Sequence, residues 1–119
     1  MEVLIRRETS GDITAIREVN QLAFGRPNEA EVVDKVRASE GYVPELSLVA
    51  ETNTGIVGHA LFSEAVIKGE TKSWTVLALG PVAVSPNFQR QGIGCQMIET
   101  GIKRAADLGY GSLHWRTAI

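Results

Sequence analysis

Hydrophobic and polar residues recur in two different rhythms along the chain, one typical of helices and one typical of strands. Val3 to Arg7 predicts a short opening strand. The next apolar residues then recur every three or four positions and predict a first helix that ends at about Phe24. These apolar positions are Ile13, Ile16, Val19 and Ala23. Thr9 and Asp12 have the spacing of a capping box before this helix.

A second and shorter helix is predicted on the same grounds. Asn28 and Glu31 repeat the capping-box spacing, and Gly41 and Pro44 end the segment. Its apolar face consists of Val32, Val33 and Val36. The acidic residues Glu29, Glu31 and Glu40 are expected on the solvated surface.

The middle of the chain changes to a β pattern. Leu46 to Glu51 is rich in strand-forming residues, and Asn53 to Gly55 is a hairpin signal. Ile56 to Ile67 alternates loosely and predicts a long strand, which Lys68 to Glu70 ends with a turn. Trp74 to Val84 is nearly all apolar, which is typical of a central strand buried on both faces.

The last third of the chain predicts a long helix that starts at Gly92 and ends at Gly109. Its apolar stripe consists of Ile93, Met97, Ile98, Gly101, Ile102, Ala105 and Leu108. Leu113 to Thr117 predicts one more strand. The order β-α-α-β-β-β-α-β indicates an α+β or mixed sheet with helices on its faces, and it excludes a doubly wound sheet with regular β-α alternation.

Composition indicates one globular domain over residues 1–119, because 44% of the residues are hydrophobic and 22% are charged. A net charge of −2 gives no basic field, so neither nucleic acid nor a membrane is expected as a partner. Cys95 is the only cysteine, and no Cys/His cluster predicts a metal site. No signal peptide or membrane-spanning run is recognised, so a cytoplasmic location is expected.

A glycine-bearing turn joins the apolar strand to the last helix. The first N–H groups of a helix have no partners within the helix, and they lie at the positive end of its dipole. Gly92 and Gly94 carry no side chains, so an anion can approach these donors closely. Arg90 adds a cation. The turn is therefore predicted to bind a pyrophosphate.

The same turn carries a family signature. The stretch Gln89-Arg90-Gln91-Gly92-Ile93-Gly94 matches the pattern Q/R-x-x-G-x-G/A and resembles the GCN5-related N-acetyltransferase (GNAT) family. Leu79 to Pro86 resembles the family's fourth strand, and its LGPVAV wording is similar to the YhbS-like predicted acetyltransferases. Cys95 to Leu108 looks like the third helix. The resemblance implies a GNAT-like fold, with a central, mostly antiparallel sheet and helices on both faces.

The resemblance further implies acetyl-CoA as the acetyl donor. The strand segment Val82, Ala83 and Val84 would run beside the pantetheine arm. The pyrophosphate would be held by the N–H groups of Gln89, Arg90, Gln91, Gly92, Ile93, Gly94 and Cys95. A backbone N–H near Val82 would polarise the acetyl carbonyl, and a primary amine of a small molecule or a peptide would attack it directly.

Two residues are candidates for the general base. Glu64 lies on the predicted third strand, which in the family faces the acceptor, but its simpler interpretation is a solvent-facing strand residue. His59 is either a base or a hydrogen-bonded histidine within the sheet. Some members of the family place a glutamate on strand four, where this chain has Ala78.

The remaining distinctive side chains have simpler interpretations. Trp74, Phe62 and Phe24 are predicted to be core residues. Cys95 is predicted to be a small packing residue. Trp115 either packs on the core or lines the cofactor cleft.

Family domains usually continue beyond strand five, and a tyrosine there often acts as the acid. Tyr42 and Tyr110 do not match that position, so the chain is interpreted as a member with its C-terminal part missing. A homodimer is expected, because a shortened sheet would leave an exposed edge. A non-catalytic acyl-CoA-binding or assembly module is the alternative to an enzyme.

Overall fold

The computed structural model describes residues 2–110 and, for the backbone alone, residues 115–117. Five strands and three α-helices follow in the predicted order. They are β1 (Leu4–Arg7), α1 (Ile13–Phe24), α2 (Asn28–Arg37), β2 (Tyr42–Thr52), β3 (Gly55–Lys68), β4 (Ser73–Val84), α3 (Ile93–Asp107) and β5 (Trp115–Thr117). Single 3-10 turns precede α1 and follow β4.

The strands form one sheet in the order β1-β2-β3-β4-β5. Strands β1 to β4 pair antiparallel, and β5 adds parallel to β4. Helix α3 covers one face of the sheet, and α1 and α2 cover the other. The α+β prediction, with a mostly antiparallel sheet and helices on both faces, is confirmed.

Two apolar clusters hold the helices to the sheet. The cluster on the α3 face consists of Leu46, Leu48, Ala50, Val57, Ala60, Phe62, Leu77, Ile93, Met97 and Ala105. The cluster on the α1–α2 face is smaller and consists of Ile16, Val33, Val49 and Leu61. Both clusters consist of residues that alternate along the strands and recur every three or four positions along the helices, as the sequence pattern requires.

Strand β4 contains a β-bulge that the sequence analysis missed. Ala60 pairs with Val82 and Phe62 pairs with Leu79, so Gly80 and Pro81 together oppose one residue of β3. A bulge bends its strand and changes the direction of the residues that follow. Proline inside a strand is the sequence signal for such a site, because it cannot donate to the ladder.

Local sequence signals predicted the start of α1 correctly and the next two boundaries incorrectly. The carboxylate of Asp12 accepts hydrogen bonds from the backbone N–H and the hydroxyl of Thr9, which confirms the capping box. Asn28 is the first residue of α2 and not its cap, because Pro27 precedes it in that role. Strand β2 begins at Tyr42 and includes Pro44, within an irregular stretch of its pairing with β3.

Three burial predictions need correction. Trp74 is 41% exposed, since it lies on the β3–β4 hairpin beyond the helices, where Lys72 lies over its ring. Phe24, the last residue of α1, is only partly buried. Glu29 is only 3% exposed instead of solvated, and its carboxylate binds the guanidinium of Arg26 at 2.6 Å. Phe62 is fully buried, as predicted.

Candidate functional site

The turn between β4 and α3 is held by hydrogen bonds within its own segment and to β3. Ser85 donates its N–H to the carbonyl of Val57 at 2.8 Å, and Phe88 donates to Ser85 at 2.8 Å. The side-chain amide of Gln89 donates to the carbonyl of Val84 at 2.9 Å. The glutamine of the signature therefore fastens the turn to the end of the strand.

Two residues of the turn have a left-handed backbone. Arg90 has a φ of 64° and is the one non-glycine residue with positive φ in the described part of the chain. Gly92 follows with a φ of 82°. An L-residue in this region is strained by about 1 kcal/mol, and such strain is concentrated at functional sites. Left-handed residues in a turn direct successive N–H groups into one concavity, which is a known way of binding anions.

The first turn of α3 adds further donors. Gln96 donates to the carbonyl of Gly92 at 3.0 Å and so makes the first hydrogen bond of the helix. The N–H groups of Ile93, Gly94 and Cys95 come before it and have no acceptor within the helix. No acidic residue lies in this turn to occupy them. The segment therefore places unpaired backbone donors at the positive end of a helix of 15 residues, which is the arrangement that the predicted anion site requires.

The final residues of β4 have one free backbone edge beside this turn. Val82 and Val84 are partly buried and pair with β3 on one side only. On the other side, the described pairing of β4 with β5 ends at Leu79 and Thr117. A side-chain carbon on Gly94 would lie 3.7 Å from Val82, so the glycine brings the helix close to this part of the strand.

Glu64 lies away from this edge. It pairs with Leu77, five positions before Val82, which is roughly 15 Å along a strand. Its carboxylate accepts a hydrogen bond of 3.0 Å from the hydroxyl of Tyr110, just after α3. Burial, followed by this carboxylate, raises the pKa of Tyr110. Glu64 therefore joins β3 to the end of α3, and its role as a base stays a prediction.

His59 is fully buried on the α1–α2 face. Its Nε2 lies 3.0 Å from the hydroxyl of Ser47, and its Nδ1 lies 3.4 Å from the amide of Asn20. Burial lowers its pKa, which the nearby carboxylate of Glu8 opposes. The interpretation as a hydrogen-bonded sheet histidine is confirmed, and direct contact with a substrate is excluded by the absence of exposed surface.

Glu8 and Arg37 were missed in the sequence analysis. Arg37 of α2 donates to both carboxylate oxygens of Glu8, at 3.1 and 3.2 Å, and Ser47 donates to the same carboxylate. Burial alone would raise the pKa of Glu8, but His59, Arg37 and Ser47 lower it to about 2. No short motif joins residues so far apart in the chain, so the sequence carried no signal for the cluster.

Three further residues complete the comparison with the sequence. Cys95 is exposed in the first turn of α3, so its prediction as a packing residue is wrong. Ala78 is buried on the α1–α2 face. The side chain of Trp115 lies outside the described residues.

The described residues contain neither a group of metal-binding side chains nor a helix that could span a membrane. No three of their His, Cys, Asp and Glu side chains are grouped to hold a metal ion. None of the helices in residues 2–110 has the length and apolarity to cross a membrane.

Comparison with known proteins gives consistent matches. The model of the acetyltransferase (GNAT) family matches residues 13–119. A protein of Escherichia coli (strain K12) named "uncharacterized N-acetyltransferase YjhQ" is 41% identical over 98 residues, which are 82% of this chain. The chain spans about half, 54%, of the length of that relative.

Two solved structures extend the similarity to three dimensions. A GNAT family acetyltransferase from Brucella melitensis, in complex with acetyl-CoA, is 36% identical with a TM-score of 0.80. The alignment covers 92% of this chain and 71% of that one. The YhbS acetyltransferase of Escherichia coli, in complex with CoA, is 25% identical with a TM-score of 0.80, and the alignment covers 92% of this chain and 59% of that one.

Proposed function

Because the chain belongs to the acetyltransferase (GNAT) family, we propose that it binds acetyl-CoA and transfers the acetyl group to a primary amine. One observation carries the proposal. The left-handed residues Arg90 and Gly92 lie directly before the unpaired N–H groups of the first turn of α3. The acetyl-CoA complex of the Brucella melitensis relative supports the choice of ligand.

The pyrophosphate of acetyl-CoA would be bound mainly by backbone. The N–H groups from Gln89 to Cys95 supply fixed donors, and the helix dipole favours the two negative charges. Gly92 has open space around it, so a phosphate oxygen can come within hydrogen-bonding distance. Arg90 is exposed, and its guanidinium adds an attraction that water and salt screen.

The pantetheine arm would then extend along the free edge of Val82, Ala83 and Val84, like an added strand. The acetyl carbonyl would lie near Val82, just beyond the bulge, where a backbone N–H stabilises the developing oxyanion. The amine nitrogen attacks the carbonyl carbon, the carbon–sulfur bond breaks, and the CoA thiolate leaves. A base takes the proton from the amine, and Glu64 is the sequence-based candidate for it; at roughly 15 Å along the strand from Val82, it would have to act through intervening water.

A non-catalytic acyl-CoA-binding module is the second candidate function. Ala78, at the position where some members of the family have a glutamate, has no group that accepts a proton. Release of free CoA thiol in the presence of a panel of amines separates the two candidates. Binding of acetyl-CoA without any thiol release, across amines and peptides, would favour the module. A homodimer and a cytoplasmic location stay predictions.

Calorimetry with acetyl-CoA tests the proposed site. Gly92→Asp places a carboxylate where the phosphates should bind, so we expect the Kd to rise on the order of 10²-fold, about 3 kcal/mol. Gly25→Asp is the matched control. Gly25 also has a positive φ, 69°, and open space around it, so this variant has the same backbone strain and charge far from the turn. Its Kd should equal that of the wild type.

Arg90→Ala completes the series with a smaller effect. It removes one exposed charge and keeps every backbone donor, so we expect the Kd to rise tenfold at most. Wild-type affinity in Gly92→Asp, or no binding by the wild type at millimolar acetyl-CoA, would rule out the turn as the cofactor site.

A further inference from the structure

A set of polar side chains lies between the sheet and α1–α2, directly behind β4. We call Glu8, Asn20, Ser47 and His59 the buried polar cluster. Asn20, Ser47 and His59 have no exposed surface, and Glu8 is 8% exposed. The cluster joins α1, β2, β3 and the segment after β1. His59 pairs with Ala83 of β4, the residue after Val82.

The hydrogen bonds of the cluster determine which nitrogen of His59 carries the proton. The amide nitrogen of Asn20 donates to the carbonyl of Ile16 at 2.9 Å and lies 3.4 Å from His59 Nδ1. Because an amide NH₂ only donates, Nδ1 has to be the acceptor. Nε2 then carries the proton and donates to Ser47 Oγ at 3.0 Å. Ser47 in turn donates to Glu8. The contact with Asn20 requires a neutral imidazole, whereas the donation to Ser47 would also be possible from a protonated ring.

A protonated His59 does not fit either orientation of Asn20. In the observed orientation, an N–H on Nδ1 would face the NH₂ group of Asn20, donor against donor. In the reversed orientation, the amide oxygen would accept from Nδ1 but would face the carbonyl oxygen of Ile16. The amide oxygen of Asn20 is already the one buried side-chain N or O atom without a hydrogen bond in the described part of the chain.

The charged groups around His59 do not remove this conflict between a protonated Nδ1 and Asn20. Glu8 from the segment after β1 is the nearest carboxylate, with Oε1 3.7 Å from Nε2, and it favours the proton. Arg37 of α2 binds that carboxylate and disfavours the proton. Strands β2 and β4 place the apolar Val49 and Ala83 opposite His59. From α1, the neutral Asn20 contacts the ring.

We propose that Asn20 and His59 are positioning residues, which hold the C-terminal half of α1 on β3 as long as His59 is neutral and release it when His59 is protonated. Helix α1 packs on β3 and β4, and it ends at Phe24, before the loop 25–27. A consequence for acetyl transfer rests on the proposed function. Release of α1 should leave the Kd for acetyl-CoA unchanged, because the proposed turn lies at the start of α3.

The sign of the pH effect follows from the direction of the pKa shift. An exposed histidine has a pKa of about 6.5, and burial lowers the pKa of His59 below that value. The released state therefore binds the proton first as the pH falls below about 6.5. The equilibrium for release should rise by about tenfold per pH unit until the pKa of the folded state is reached. Glu8, with a pKa of about 2, begins to contribute only below pH ~4.5.

Hydrogen exchange without any ligand tests the proposal. After correction for intrinsic exchange rates, we expect protection of the amides from Asn20 to Phe24 to fall about fivefold between pH 6.5 and 5.5, with α3 unchanged. His59→Gln is the matched variant. Its amide oxygen can accept from Asn20 and its NH₂ can donate to Ser47, but it does not titrate. Protection of α1 in this variant should stay constant over the same range.

Asn20→Asp provides a second variant, which also decides the matter if His59→Gln does not fold. A carboxylate at position 20 faces the carbonyl oxygen of Ile16 at every pH and so lowers the protection of α1 throughout. Because it also accepts from a protonated Nδ1 and attracts its charge, α1 should be at least as protected at pH 5.5 as at pH 7.5. Three results would overturn the proposal: no loss in the wild type, an equal loss in either variant, or a parallel loss in α3. Because no acetyl-CoA is present, such a result leaves the proposed function untouched.

Discussion

The two faces of the sheet differ in whether their polar groups have hydrogen-bond partners within the protein. On the α3 face the buried contacts are apolar, and the unpaired polar groups are backbone N–H groups at the exposed start of α3. On the α1–α2 face a smaller apolar cluster lies beside the buried polar cluster and Arg37, whose members bind one another. On the α3 face, the backbone donors at the start of α3 are open to a ligand such as the proposed anion. On the α1–α2 face, the donors and acceptors of the buried polar cluster bind one another.

This difference separates binding from stability. A donor that is left open at a helix start is solvated in the free protein and exchanges water for a ligand at little cost. A buried donor or acceptor that loses its partner has no water to replace it and destabilises the fold. Substitutions on the α1–α2 face should therefore act on folding, whereas substitutions in the turn should act on affinity.

The largest effect is expected from Glu8→Ala. This change removes the carboxylate that Arg37, Ser47 and His59 share, and it leaves a partly buried guanidinium without its main partner. Loss of one member of a buried ion pair typically destabilises a protein by about 3–5 kcal/mol. We expect a loss of about 3 kcal/mol in the free energy of unfolding, measured by urea denaturation.

Arg17→Ala is the control for this prediction. Arg17 pairs with Asp34 at the surface, where both side chains are more than 40% exposed, so its loss should change stability by less than about 1 kcal/mol. Equal effects of the two substitutions would contradict the assignment of the buried polar cluster as the main electrostatic support of this face.

Glu64→Gln tests whether the α3 face contributes a side chain to the chemistry. If Glu64 is the base, kcat falls by roughly 10²-fold and the Kd for acetyl-CoA is unchanged. Glutamine still accepts a hydrogen bond from Tyr110, so folding is preserved. Tyr110→Phe is the control, since it removes that hydrogen bond and keeps the carboxylate. A wild-type pH–rate profile between pH 6 and 9 in Glu64→Gln would remove Glu64 from the mechanism.

The smallest effects, on stability, are expected from substitutions at two glycines of α3. Gly101 packs against Phe62 so closely that an added methyl group would overlap the ring. Gly101→Ala should therefore destabilise the fold by about 1–3 kcal/mol, although alanine is the better helix former. In Gly94→Ala the methyl group would only touch Val82 and Val84, so stability should hold or rise by up to about 1 kcal/mol. Thermal unfolding of both variants is the measurement, and a shift of the same sign in both would contradict the packing argument.

Local rules recovered much of the fold, and the backbone site that they indicate between β4 and α3 stays a prediction. Periodicity predicted all three helices, and the capping box at Thr9 marked the start of the first. Gly92 was predicted to lie in the turn before the last helix, and it has the left-handed backbone that glycine signals. The left-handed φ of Arg90 was not predicted, since an arginine gives no such signal.

Features that depend on distant contacts could not be predicted in the same way. Glu8 and His59 are adjacent only because β1 and β3 both pair with β2. Trp74 was assigned to the core from its apolar strand pattern, which does not show where the covering helices end. Glu29 was predicted to be solvated because its partner Arg26 belongs to the loop before the helix, where the helical pattern does not show the contact.

The unbroken strand order β1-β2-β3-β4-β5 has a consequence for the time course of folding. The pairings of β2 with β3 and of β3 with β4 join neighbours across short turns, so they close small loops and should form first. Strand β1 pairs with β2 across a chain segment that contains both α1 and α2, and β5 pairs with β4 across a segment that contains α3. These longer loops should close later. Pulse-labelled hydrogen exchange should therefore detect protected amides in the central meander before the outer strands join it, and early protection of β1 would show a different route.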